Sequence, residues 1–169
     1  MLKKREIVVG LILGLVLSLF VIGFAFKLSA PTMFFKEITV PYNFDKTVNL
    51  IKTRINKQKG WHVTTIIDQQ KEILNNDGQD VGKVKIIKFC NGKLSGEMLS
   101  KDDSKFMAVK MPLSIAIYEK NDGRVTIGLM NGYMMARLFA GRAEGDIMEK
   151  VVKDIENILG FVHFRFTIF

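Results

Sequence analysis

The sequence is poor in the side chains from which most enzyme and metal sites are built. Its 169 residues include 1 cysteine, Cys90, and 2 histidines, His62 and His163. A single cysteine excludes a disulfide within the chain and any metal or iron–sulfur site built from several thiolates. Two histidines also exclude a histidine-rich zinc centre.

Short motifs of nucleotide, calcium and haem binding are absent as well. Neither the Walker loop nor G-x-G-x-x-G occurs, and Asp77, Asp80, Asp102 and Asp103 do not have the spacing of a calcium loop. Without C-x-x-C-H, a covalently held c-type haem is excluded. Cys90 lies in an apolar context typical of a buried, inert thiol. The sequence does not indicate a cysteine or serine nucleophile beside a histidine base, so we expect a protein that is not an enzyme.

One long run of the chain is uncharged, over residues 7–26. A helix of that length spans roughly 30 Å, the thickness of the hydrocarbon core of a bilayer. Lys3, Lys4 and Arg5 precede the run and only Lys27 follows it closely, which predicts a cytoplasmic N-terminus. We therefore expect a cytoplasmic tip over residues 1–6, a transmembrane helix over 7–27, a linker over 28–34 and an extracytoplasmic domain over 35–169. The chain would be a single-pass protein of the inner (cytoplasmic) membrane, with its domain in the periplasm or outside.

A cleaved secretory signal is the alternative interpretation of this run. Such signals have a shorter apolar region, which ends in an A-x-A-like site. The tripeptide 28–30 has leucine where a small residue is needed, whereas 23–25 is a weaker candidate that stays open. Gly10, Gly14 and Ser18 are four residues apart and share one helix face, which would let a second helix pack closely.

The charge balance does not indicate a nucleic-acid partner. The chain has 25 Lys and Arg against 17 Asp and Glu, a formal charge of +8. Its lysines are scattered, and aromatic residues do not alternate with them as they do in surfaces that stack bases. We expect the lipid bilayer, a second copy of the chain or a membrane protein complex as partners, and no nucleic acid.

Residue patterns in the remainder predict a single α+β sandwich domain that follows the transmembrane helix. Asp122-Gly123 between two apolar runs predicts a tight hairpin. An apolar stripe that includes Ile147, Val151 and Ile155 predicts a helix. The predicted strands are 34–40, 61–67, 81–89, 111–119, 124–129 and a closing strand 161–169. The predicted helices are 45–59, 69–76, 93–99 and 144–159, a chain break is expected at 102–104, and 131–142 is less regular.

The order of these motifs resembles one known family. Over about residues 35–160 the chain is similar to the domain of unknown function 302. The similar elements are the segments 44–51 and 60–63, the strand 86–91 that ends in Asn91, and Met111-Pro112 before the hairpin. The resemblance implies a compact α+β domain, often paired as a dimer, and it brings no agreed catalytic residues. Gly92 stands where many relatives have proline, and Leu113 stands where some have cysteine. Any thiol chemistry of those relatives at the cysteine position is therefore not expected at Leu113.

Methionine is the one compositional oddity, with 9 residues. Thioether sulfur ligates haem iron or Cu(I), but methionine on a helix also serves as adaptable core filler. Non-covalent haem is therefore one candidate cofactor, and core or interface packing is the alternative. The candidate haem or metal ligands are His62, Met134, Met135 and His163.

The segment 132–139 is apolar on several sides, and 161–169 carries apolar residues at alternate positions. We expect them to line a ligand pocket or a subunit interface, with Arg142 beside Arg137 at its rim. The closing strand would join its own sheet or the sheet edge of a neighbour. The candidate residues are Tyr133, Met134, Met135, Arg137, Phe139, Phe164 and Phe166.

From these patterns we expect a membrane-anchored, extracytoplasmic accessory or binding protein without enzymatic activity. It would associate with itself or with a larger membrane complex, because an anchor raises the effective concentration of the domain near other membrane proteins. The alternative is a redox or ligand-binding module that holds non-covalent haem or a small apolar molecule at the Met-rich surface.

Overall fold

The computed structural model describes residues 4–167, which belong to two units. The first is a single helix, α1 (Lys4–Phe34), and the second is a domain that begins at Phe35. None of the residues of α1 is buried.

Helix α1 is longer than the sequence predicts. Its 31 residues correspond to about 46 Å at 1.5 Å per residue. It is long and apolar enough to cross a membrane, as predicted, and a signal sequence near an N-terminus has the same properties. The helix includes residues 28–34, where a linker was expected. Pro31 lies inside it and removes one backbone donor, while the Thr32 hydroxyl donates to the Ser29 carbonyl at 2.9 Å.

The domain is built on a five-stranded antiparallel sheet in the order β1-β5-β4-β3-β2. The strands are β1 (Phe35–Val40), β2 (Trp61–Asp68), β3 (Val84–Asn91), β4 (Leu113–Glu119) and β5 (Val125–Met130). Strands β4 and β5 form the predicted hairpin, whose turn places Gly123 at φ +80°. Glycine adopts that angle without steric cost, which explains why the turn could be predicted.

Of the five α-helices in the described part of the domain, three begin with a side-chain cap. The five helices are α2 (Phe44–Lys57), α3 (Gln69–Asn75), α4 (Gly92–Leu99), α5 (Gly132–Leu138) and α6 (Ala143–Ile158). The side chains of Asn43, Asp68 and Asn91 accept the N–H groups of residues three positions later, at 2.9, 3.2 and 3.2 Å. These bonds satisfy donors that a helix N-terminus otherwise leaves free.

The main core lies between one face of the sheet and helices α2 and α6. Ile87, Ile117 and Ile127 are fully buried there, together with Ile51 of α2 and Ile158 of α6. Because side chains alternate along a strand, the residues between these positions lie on the other face, which we call the second face. The predicted α+β sandwich is thus confirmed, with helices packed on one face of a sheet.

The predicted closing strand is wrong over the described residues. A short 3-10 helix (Gly160–Val162) is followed by His163 in the left-handed region, at φ +52°. The N–H of Phe166 donates to Glu156 Oε1 at 2.8 Å, and Asn131 Nδ2 donates to the Thr167 carbonyl at 2.9 Å. Side chains therefore bind backbone groups that a neighbouring strand would pair. Ile168 and Phe169, the end of the predicted strand, lie outside the described residues.

Two irregular segments are more ordered than the sequence indicates. The expected break at 102–104 begins a 3-10 helix (Asp102–Lys110), so β4 starts at Leu113 rather than at 111. Residues 132–138 of the less regular segment form α5, which packs on α6.

Candidate functional site

The pairing between β4 and β5 stops before either strand ends. The pairing of β4 with β5 ends at Ile115 and Leu129. Beyond that point Leu113 still pairs with β3, and Met130 still pairs with β1. We call this end of the sheet, where β4 and β5 each pair only with their other neighbour, the fork.

A cavity of about 630 Å³ lies at this fork, and we call it the fork cavity. Ligand sites typically have volumes of about 300–1,000 Å³. Its lining comes from both faces of the sheet and from the segment before β4, which contains the cis peptide bond Met111–Pro112. Lining residues of the second face include Ile86, Lys88, Ser114, Ala116, Tyr118, Gly128 and Met130, and helix residues include Met135, Met148, Val151 and Ile155.

Small residues form the floor of the fork cavity on the second face. Ala116 pairs with Gly128 across β4 and β5, and Ser114 lies two positions before Ala116. A Cβ at Gly128 would lie 3.1 Å from Tyr118 Cε1, so the tyrosine ring covers this glycine. A larger side chain at Ser114 or Ala116 would take up cavity volume, whereas one at Gly128 would press against the Tyr118 ring.

A polar network lies beside this floor. Tyr118 Oη donates to Glu37 Oε1, and Lys120 Nζ lies 2.7 Å from Glu37 Oε2. The bond from Lys120, followed by that from Tyr118, holds the pKa of Glu37 below its usual value. Partial burial, together with the Glu37 carboxylate, raises the pKa of Tyr118 well above its usual value. Glu37 is thus an ionised, hydrogen-bonded carboxylate and Tyr118 a neutral donor at neutral pH.

Three lysines also line the fork cavity. Lys36, Lys88 and Lys110 come from β1, β3 and the 3-10 helix before β4. Within residues 4–167, no carboxylate oxygen lies within 4 Å of their ammonium groups. The cavity therefore combines an apolar lining with unpaired positive charge.

Four methionines contribute to this lining, and one of them, Met135, is a candidate residue from the sequence. Met111, Met130, Met135 and Met148 line the fork cavity. Met111 and Met148 also line a smaller cavity of about 30 Å³ beside Cys90, which is room for about one water molecule.

The structure brings one of the predicted pocket residues, Met135, to the fork cavity. Tyr133 and Phe166 pack in the main core, and Phe139 packs against a second core cluster around Ile147. The guanidinium of Arg137 lies 5.6 Å from the centre of the Tyr133 ring.

The remaining predicted residues are dispersed. Met134 is half-buried, and Phe164 makes an edge contact with the ring of Phe166 at 4.7 Å. His62 is exposed on β2, and His163 is exposed after the second 3-10 helix. Neither histidine lines the fork cavity. Within residues 4–167 no group of three or more His, Cys, Asp or Glu side chains is placed to hold a metal ion.

The predicted packing face of α1 is open. Among residues 4–167, and apart from the adjoining backbone of the helix itself, no atom lies within 4 Å of the position that a Cβ would take at Gly10 or Gly14. The hydroxyl of Ser18 donates to the Leu15 carbonyl at 2.8 Å. Close packing of a second helix on this face stays a prediction.

Sequence reasoning missed the floor of the fork cavity. The signal that could have revealed it is the run of small residues at alternate strand positions, Ser114 and Ala116 in β4 and Gly128 in β5. Such a run leaves one face of a sheet without the bulk that normally fills it.

Comparison with known proteins agrees with this fold. Residues 36–162 match the family model of the domain of unknown function DUF302. The crystal structure of an uncharacterized conserved DUF302 protein from Bacillus stearothermophilus superimposes with a TM-score of 0.66, at 18% sequence identity. The superposition covers 78% of this chain and 99% of that chain. No curated protein matches the chain significantly. The family match extends over most of the chain, and on that basis the chain belongs to the DUF302 family.

Proposed function

We propose that this chain is a membrane-anchored, extracytoplasmic binding protein without enzymatic activity, and that its fork cavity holds a small apolar molecule. The observation that carries this proposal is a cavity of about 630 Å³ with a mostly apolar lining at the fork of the sheet. Apolar surface that a ligand removes from water stabilises the complex by about 25 cal/mol per Å².

The shape of the lining favours a ligand over a filled core. The floor residues Ala116 and Gly128 are small, whereas Met135 and Met148 on the helix side are flexible. Methionine has an unbranched, polarizable side chain that adapts to the shape of its partner. The lining can therefore adjust around a molecule that enters between rigid strands.

The polar groups of the fork cavity support binding rather than catalysis. Its acidic residue, Glu37, is hydrogen-bonded to Tyr118 and Lys120 and has a lowered pKa. An efficient general base has a pKa near the operating pH. The pKa of Glu37 is lowered, which takes it further from neutral pH. Its aliphatic hydroxyl, Ser114, has no imidazole beside it in the lining to accept its proton.

A small apolar molecule fits this lining better than haem does. Haem iron is commonly held by histidine or by methionine with histidine. The fork cavity offers methionine sulfur from Met130 or Met135, while His62 and His163 lie elsewhere.

The anchor would explain why such a domain is useful at a membrane. A domain held by α1 encounters membrane proteins, or a second copy of itself, at a high effective concentration. Fusions at the C-terminus test the location. We expect alkaline phosphatase to be active there and green fluorescent protein to be dark. Fluorescent cells with inactive phosphatase, or release of a processed chain from the membrane, would contradict the anchored topology.

Photo-labelling tests the cavity directly. The full chain is placed in lipid nanodiscs with a neutral alkyl alcohol that carries a diazirine, and labelled peptides are identified by mass spectrometry. We expect labels on peptides that contain Ala116, Met130, Met135 or Met148. Labels on α1 provide the internal reference for the concentration of the probe in the bilayer.

A matched pair of variants makes this test specific. Ser114 and Thr65 are both exposed on the second face, where they flank Lys88 on the two neighbouring strands. Of these two residues, only Ser114 lines the fork cavity. We expect Ser114→Phe to reduce cavity labelling at least tenfold and Thr65→Phe to leave it unchanged. Equal labelling in all three proteins would refute the cavity as the binding site. A second outcome would also refute it. If the wild-type chain is a homodimer that excludes the probe, and if Ser114→Phe converts it to monomers, the cavity is a subunit interface rather than a binding site.

A further inference from the structure

We propose that the molecule held in the fork cavity is a single-chain amphiphile with an anionic head group, such as a long alkyl chain that ends in a carboxylate. This inference rests on the proposed function, because it specifies the ligand of the same cavity.

The first argument is that lysines from three separate elements contribute to the lining of the fork cavity. Lys88 lies on β3 opposite Ser114, and both belong to the second face. Lys36 lies on β1 opposite Leu129, and Lys110 ends the 3-10 helix before β4. Lys36 thus belongs to the core face and Lys88 to the second face. Lysines in the lining on both faces favour an anionic ligand and disfavour a cationic one.

The second argument is that these ammonium groups are available. None of the three makes an ion pair within 4 Å among the described residues. The one carboxylate in the lining, Glu37, is bound to Lys120 and Tyr118 instead. A bound anion would therefore not have to displace an internal partner of Lys36, Lys88 or Lys110.

The third argument is the combination of these cations with an apolar floor and wall. A carboxylate gains charge-assisted hydrogen bonds from lysine, and the Ser114 hydroxyl can donate a further bond. An alkyl chain attached to that carboxylate would lie against Ala116, Met135 and Met148. A wholly apolar ligand would leave the ammonium groups without a partner, and a small anion would leave the apolar lining in contact with water.

Chain order suggests where such a ligand comes from. Phe35, which lines the fork cavity, directly follows the last residue of α1 in the chain. A membrane that anchors α1, as the proposed function states, would keep the domain close to membrane lipids through this covalent link. Amphiphiles concentrate at membranes, so the bilayer is their natural source.

The experiment compares two diazirine probes with the same alkyl chain, one ending in a carboxylate and one in an alcohol. The full chain is labelled in zwitterionic nanodiscs at mildly alkaline pH, where the carboxylate is ionised and lysine stays protonated. Labelling of the fork cavity is divided by labelling of α1 for each probe. We expect this ratio to be about tenfold higher for the carboxylate than for the alcohol.

Lys88→Gln provides the specific test, and Lys85→Gln provides its control. Lys85 lies on the same strand but on the other face, 5.6 Å from the centre of the Phe44 ring. We expect Lys88→Gln to lower carboxylate labelling several-fold without changing alcohol labelling, and Lys85→Gln to change neither. Equal labelling by the two probes in the wild-type chain would overturn the anionic ligand and leave the proposed function standing. Absence of cavity labelling by both probes would refute the proposed function itself.

Discussion

Arg54 offers a sharp test of how the helix layer is held together. Its side chain extends from α2 to the end of α6, where Nε donates to the Ile158 carbonyl and Nη2 donates to the Asn157 carbonyl at 2.6 Å. Its guanidinium also lies 5.6 Å from the centre of the Phe161 ring. The last carbonyl groups of a helix lack intrahelical donors and carry partial negative charge, which a guanidinium neutralises.

The expected cost of Arg54→Met follows from these contacts. A hydrogen bond from a charged donor contributes about 1.5–3 kcal/mol when it is buried, but the bond to Asn157 is exposed. Interaction with the helix end adds about 0.3–1 kcal/mol. Methionine keeps the aliphatic stem, so we expect a loss of about 2 kcal/mol in the free energy of unfolding. Arg54→Lys retains the charge without the two-pronged geometry and should lose about half of that.

Urea unfolding of the full chain in non-ionic detergent measures this loss. Trp61 is the only tryptophan and is 5% exposed, so its fluorescence reports on the domain. With a urea dependence of about 2 kcal/mol per molar, Arg54→Met should lower the midpoint by about 1 M. Arg124→Met is the control, because Arg124 is exposed and bonds to Asp122 in its own turn. Equal midpoints for Arg54→Met and the control would refute the reasoning.

Three further predictions concern stability. Thr126 is fully buried, and its hydroxyl has no hydrogen-bond partner in the described part of the chain, so Thr126→Val should raise the unfolding free energy by about 1 kcal/mol; a decrease in the midpoint would contradict this. The lowered pKa of Glu37 stabilises the fold above the unfolded pKa of about 4.3. That contribution is lost as pH falls through the native pKa, so Glu37→Gln should be less stable than wild type at pH 7, and the difference should shrink as the pH falls below about 4.3. Its size is below about 1 kcal/mol, because this side chain is 57% exposed and its ion pair is screened. A constant difference across this range would refute the link. Asn43→Ala removes the side-chain cap of α2 and should cost about 1 kcal/mol in the same urea assay; an unchanged midpoint would contradict the cap.

Much of the fold could be predicted because local patterns determine it. The hairpin at Asp122-Gly123 and the apolar stripe that includes Val151 and Ile155 each depend on neighbouring residues in the chain. The order of the five strands and of helices α2, α3, α4 and α6 followed from such patterns, and so did the presence of a long apolar helix.

The errors have a different physical origin. Alternation of Phe164 and Phe166 resembles a strand, but the left-handed turn at His163 and the bond from the Phe166 N–H to Glu156 turn the chain away from the sheet. These contacts join residues whose proximity depends on tertiary packing. Local alternation alone could not reveal them.

The fork cavity was missed for the same reason. Its position depends on where β4 stops pairing with β5, and that register is set by four strands together. The methionines around it are close only after folding, since Met111 and Met148 come from distant parts of the sequence. Composition indicated an unusual use of methionine without indicating which residues share a cavity.

Native mass spectrometry of the full chain released from membranes tests the central claim most directly. The wild-type chain and Thr65→Phe should each carry a bound small molecule in addition to the 19.2 kDa polypeptide. Ser114→Phe should appear at the mass of the polypeptide alone. Bare polypeptide in all three proteins, or the same adduct retained by Ser114→Phe, would contradict a ligand in the fork cavity.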